Sequence, residues 1–140
     1  MARRVISELS VADVQRIQAG LGDNQVLLIK FGADWCGPCK KIAPLYYDFI
    51  KTNPPNILFA DIDVDDNIDL YITLKKNKML NGIPVFLAYF GNSRLREKWY
   101  IPDDSIVGAD ETAVAAFFAR CLKQAQAQAQ VQAQGYTYFS

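Results

Sequence analysis

The chain has 140 residues, 51% of them apolar, with 15 Lys and Arg balanced by 15 Asp and Glu and no histidine. That length suits one domain with a proper core, and zero net charge argues against a nucleic-acid or polyanion binder. No apolar run approaches the roughly 20 residues of a membrane span, so no membrane partner is expected. The basic Arg3-Arg4 is followed too soon by Ser7, Glu8, Ser10 and Asp13 for a signal-peptide core. The expectation is a cytoplasmic protein in a reducing compartment. Three cysteines, an odd number, do not make a disulfide framework.

In chain order, residues 4–6 read as a short first strand. Ser10, with Asp13 three residues on, has the form of a helix N-cap. Val11, Val14, Ile17 and Leu21 follow at helical spacing, and Gly20 and Gly22 end that helix. The apolar run Val26-Leu27-Leu28-Ile29 makes 25–31 a buried central strand. A helix is expected over 36–50, with Pro38 suited to its first turn and Pro44 kinking its interior. Asn53-Pro54-Pro55-Asn56 is a turn, 57–63 the next strand, and Val64-Asp65-Asp66-Asn67 its end. Those aspartates suggest calcium, but the glycine and terminal glutamate of an EF-hand loop are missing.

A third helix is expected over 69–76, with Lys75-Lys76-Asn77-Lys78 as a solvated face. Residues 85–90 form a strand, Gly91-Asn92 a hairpin turn, and 94–100 a charged edge strand. Ile101-Pro102-Asp103-Asp104-Ser105 reads as an inserted loop. Asp110 caps the last helix, whose apolar stripe is Val114, Phe117, Phe118, Cys121 and Leu122. The domain therefore spans 1–123. Beyond it, Gln–Ala alternation leaves no apolar helical face. Residues 124–140 are either a solvated extension or a tether whose aromatic tip docks on a partner.

The chemistry concentrates in Trp35-Cys36-Gly37-Pro38-Cys39-Lys40. Cys36 falls where the central strand gives way to the helix. Unpaired N–H groups and the helix dipole favour an anion there, and Lys40 adds positive charge one turn on. Both effects stabilise the thiolate, the reactive form of cysteine. Cys39 is close enough to close a small disulfide ring with Cys36. Structural zinc would need four Cys or His ligands, and the chain has three cysteines and no histidine.

This hexapeptide, set between a strand and a helix, resembles the active-site sequence of the thioredoxin family, and the likeness extends over most of 3–123. The resemblance implies an α/β fold with a central mixed sheet and helices on both faces. It implies a protein disulfide reductase in which Cys36 attacks a substrate disulfide and Cys39 resolves the mixed disulfide. Trp35, Gly37, Pro38 and Lys40 then tune the site. Pro84 of Gly82-Ile83-Pro84 becomes a cis proline facing the cysteines, and Trp35, Gly82, Ile83, Pro84 and Gly108 border the substrate groove. No cofactor is implied beyond the Cys36–Cys39 disulfide. The implied partners are protein disulfides and an electron donor like thioredoxin reductase, and the expected state is a monomer with association through the tail left open.

Two positions depart from the family pattern. Lys30 stands where the family usually has a buried aspartate, and Asp61 stands where it often has a lysine, as if the charges had been exchanged between strands. Gly32 replaces a frequent aromatic residue and should open space beside Trp35. A second function stays in view: a thioredoxin-fold binding module whose tail and longer loops contact a partner.

Overall fold

The computed structural model describes residues 4–93 and 96–139, with side chains through residue 126. Its first helix, α1 (Val11–Gly20), starts at the expected capping box: Ser10 Oγ accepts from Asp13 N, and Asp13 Oδ2 from Ser10 N, each at 3.0 Å. Strand β1 (Val26–Gly32) is buried along its whole length. It runs into α2 (Gly37–Lys51), which contains Pro44, and β2 (Ile57–Asp63) follows. Helix α3 (Ile68–Lys76) begins one residue earlier than expected. Its N-cap Asn67 makes no capping bond, because its side chain instead accepts from Leu9 N at 2.9 Å and donates to Asp63 O at 3.0 Å.

The remaining elements are β3 (Val85–Phe90), β4 (Asp104–Val107) and α4 (Glu111–Phe139). The sheet order is β2-β1-β3-β4, with β1 parallel to β2 and the other two pairs antiparallel. Helices cover both faces, as the resemblance implies, and the side-chain alternation of β1 divides the core in two. Leu27, Ile29 and Phe31 face α1 and α3, in a cluster with Val14, Leu70 and Leu74. Val26 and Leu28 face α2 and α4, in a cluster with Tyr46, Phe86, Val114 and Phe117. Lys30 continues that second row, so its side chain points under α2.

Tyr46 anchors α2 on the sheet. Its ring meets Phe59, Phe86 and Phe118 at centroid distances of 6.0, 5.3 and 5.8 Å, and its hydroxyl donates to Ala60 O at 2.7 Å. Such ring pairs contribute about 0.5–1.5 kcal/mol each beyond simple burial. The cysteines at the head of α2 therefore sit on a firmly docked helix.

Three expectations need correction. The first strand reduces, among the described residues, to one parallel bridge between Ile6 and Ala60. The edge strand expected over 94–100 lies elsewhere. Positions 94 and 95 fall outside the described residues, 96–103 are not strand, and β4 begins inside the supposed inserted loop. The charged side chain of Arg96 folds back onto β3. Arg96 pairs with Asp103, donates to Phe90 O at 3.2 Å and lies over the Tyr89 ring at 5.2 Å. Pro102 has no N–H for a ladder. Third, Leu122 is only half-buried, and the apolar stripe of α4 runs instead from Cys121 to Ala125. Helix α4 is continuous from Glu111 to Phe139, and Asp110 caps its start by accepting from Ala113 N at 3.0 Å.

Candidate active site

Cys36 is the N-cap of α2, in extended backbone, and Gly37 and Pro38 form the exposed first turn. Its sulfur accepts the Cys39 N–H at 3.2 Å, one of the helix's otherwise unpaired donors. Cys36 and Cys39 are joined as a disulfide with Cα atoms 5.3 Å apart. Both are buried, at 5% and 3% exposure. Lys40 is exposed one position further on.

The Ile83–Pro84 peptide is cis. Ile83 O lies 3.8 Å from Cys36 Sγ, and Gly108 donates its N–H to Pro84 O at 2.9 Å. Gly108 has φ +98°, a conformation that side chains disfavour, which lets the chain turn out of β4 beside the proline. Gly82 is exposed at the start of this corner. Five expected residues, Cys36, Cys39, Ile83, Pro84 and Gly108, thus meet at one end of the sheet. Trp35 stands at its rim, 70% exposed, with Nε1 donating to Asp65 Oδ2 at 2.9 Å. Val107, also exposed, adds an apolar side chain next to Gly108.

Lys30 and Asp61 form the expected pair behind this corner. Tyr47, on α2, donates its hydroxyl to Asp61 Oδ2. That hydrogen bond, with burial and the carboxylate charge, pushes the Tyr47 hydroxyl up to about 12, so it stays a donor at any physiological pH. A cleft of about 250 Å³ is lined by Lys30, Gly32, Cys39, Ala43, Tyr47 and Asp61 among others. The space at Gly32 lies beside Cys39, not Trp35: a Cβ there would stand 3.4 Å from both Cβ and Sγ of Cys39. Chain direction explains the difference, since Gly32 ends β1 under the first turn of α2 while Trp35 has already turned outward.

Sequence reasoning missed Tyr47, Asp65 and Val107. Tyr47 carries a readable signal, because Cys39, Ala43 and Tyr47 at i, i+4 and i+8 share one ridge of the helix. Asp65 was hidden in the acidic run read as a strand end. Val107 was hidden by the misplaced edge strand. Among the described residues no cluster of three His, Cys, Asp or Glu side chains is arranged to hold a metal.

A buried disulfide at the head of a helix, its first cysteine capping that helix beside a cis proline, defines a dithiol–disulfide oxidoreductase. The family model described as Thioredoxin matches residues 11–120. Thioredoxin 1 of Plasmodium falciparum is 32% identical over 94 residues, covering 67% of this chain and 78% of that protein. The thioredoxin of Geodia cydonium is 32% identical over 103 residues, covering 74% and 85%. A solved Plasmodium falciparum thioredoxin superposes with TM-score 0.61 at 26% identity, over 82% of this chain and 98% of that one. A poplar thioredoxin h shares the fold, with TM-score 0.62 at 23% identity over 85% and 97%. The chain belongs to the thioredoxin family and has the disulfide-reductase function of that family.

Proposed function

We propose that Cys36 is the nucleophile and Cys39 the resolving thiol in the reduction of disulfides on other proteins. The observation that carries this reading is the position of Cys36 Sγ: it caps α2 and lies 3.8 Å from the backbone oxygen of Ile83. The helix N-terminus favours its thiolate. An extended substrate segment pairs with the backbone at Ile83, between the exposed apolar side chains of Trp35 and Val107. Gly82 and Gly108 leave its path clear, and Pro84 shapes the corner. Gly37, Pro38 and Lys40 tune the thiol.

In the second step Cys39 gives up its proton to Asp61 across the rear cleft. An ammonium has no lone pair, so Lys30 does not take it. A thioredoxin-reductase-like donor restores the dithiol in the cytoplasm, where the protein acts as a monomer in electron transport to protein disulfides. No metal or organic cofactor takes part. The reaction belongs to the domain of residues 1–123, and the 124–140 extension contributes nothing to it.

The test is trapping. Cys39→Ser should accumulate a mixed disulfide at Cys36 with an oxidised protein substrate, and Cys36→Ser should be inactive. Stable trapping at Cys39 would reverse the two roles.

A further inference from the structure

We infer that Tyr47 is a positioning residue for the resolving step: its hydroxyl holds the Asp61 carboxylate at the rear cleft, turned to receive the proton of Cys39. This deepens the reading of Asp61 given above and rests on it.

The two oxygens of Asp61 are held differently. Lys30 Nζ approaches Oδ1 at 3.7 Å, too far for a good hydrogen bond, whereas Tyr47 bonds Oδ2 directly. The ion pair therefore supplies charge with little directional control, and the orientation of the carboxylate falls to Tyr47. Tyr47 is well placed for it. It stands on the ridge of α2 that carries Cys39 two turns earlier, so the thiol and the residue orienting its acceptor belong to one helix. Between them lies Ala43, and opposite lies Gly32, both too small to fill the space. A cleft of about 250 Å³ has room for several waters at roughly 30 Å³ each, enough to relay a proton. The other charged groups facing it are Asp34 and Lys40 around the first turn of α2, and Asp63 at the end of β2.

The step balances as follows. The Cys39 S–H bond breaks and its proton goes to the Asp61 carboxylate, then to solvent. The Cys39 thiolate attacks Cys36 Sγ of the mixed disulfide, the Cys36–Cys39 bond forms, and the bond from Cys36 to the substrate sulfur breaks. The electron pair leaves on the substrate thiolate. The two electrons given up by the dithiol have reduced the substrate disulfide.

The experiment is single-turnover kinetics of the full chain with an oxidised protein substrate, following formation and release of the mixed disulfide separately. Tyr47→Phe keeps the ring and removes only the hydroxyl. It should slow release about tenfold, a part of the ~100-fold or more that a positioned base contributes. It should leave formation within about twofold, since no hydrogen bond to Cys36 is lost. The pH profile of release should move as well. In Asp61→Asn, release slows further, and adding Tyr47→Phe to it should change neither rate nor profile, because the group being oriented is already gone. If Tyr47→Phe leaves release unchanged while Asp61→Asn slows it, Asp61 is the acceptor and Tyr47 does not position it. If Asp61→Asn leaves release unchanged, the acceptor reading itself fails and the inference with it. Equal slowing of both steps by Tyr47→Phe, or full additivity with Asp61→Asn, would reduce Tyr47 to a structural role.

Discussion

Lys30 and Asp61 stand opposite each other on the parallel strands β1 and β2, their charges 3.7 Å apart, with the lysine side chain 7% exposed and the aspartate 25%. The unequal exposure makes the two halves of the pair unequal in stability. Removing Asp61 strands an ammonium under α2. Removing Lys30 leaves a carboxylate that still has Tyr47 and solvent.

Asp61→Leu should therefore destabilise the fold by about 2–4 kcal/mol and Lys30→Met by about half as much. The double variant should cost at least ~1 kcal/mol less than the two singles added together. Urea unfolding of the three variants measures this, and strict additivity would mean that the charges do not interact.

Asp65 accepts a hydrogen bond from the indole of Trp35, at the rim of the proposed substrate groove. Asp65→Ala should free the ring and weaken protein substrate binding, raising KM about two- to fivefold with kcat nearly unchanged, as expected for the loss of one exposed hydrogen bond. Steady-state kinetics with an oxidised protein substrate is the check, and a fall in kcat alone would contradict it.

Cys121 lies fully buried in the stripe of α4. Burial first, and the Asp104 carboxylate second, push its thiol from 9.0 up to about 12. It should resist alkylation in the native protein at pH 8 while the reduced Cys36 reacts. The raised value also has a stability consequence. Its contribution is fully present below about pH 9 and is lost as the pH rises toward 12, because only the unfolded chain ionises there. Cys121→Ala should flatten the alkaline loss of stability, most clearly just above pH 9, before the buried tyrosines titrate.

Ala125 is buried against the second core, and its carbonyl accepts from Asn56 Nδ2 at 3.4 Å. Removing residues 127–140 should leave disulfide reduction unchanged. Removing 125 and 126 as well should lower stability by about 0.5–1 kcal/mol, the scale of one small buried side chain and one hydrogen bond. Loss of turnover in the shorter truncation would place the extension at the active site.

What could be read from the sequence was local or carried by the family pattern. The capping box at Ser10, the hexapeptide 35–40, the cis proline and the last helix each reside in a few neighbouring residues. The Lys30–Asp61 pair needed only the offset of two strands. What escaped depends on contacts between distant segments. β4 pairs with β3 only beyond a loop held by Arg96 and Asp103, and no periodicity in 94–103 announces where that loop ends. The Tyr47–Asp61 and Trp35–Asp65 contacts join residues 14 and 30 positions apart, which no local pattern records.

The placement of the two charges also bears on how such a chain can diverge. β1 is an interior strand, and its lysine, 7% exposed, meets solvent only through the rear cleft it helps to line, so a neutral side chain of similar length can take its place with Asp61 still held by Tyr47. β2 ends the sheet order, and its aspartate reaches the surface. The cheaper order of exchange therefore begins at the lysine, since losing the aspartate first passes through an unpaired buried ammonium.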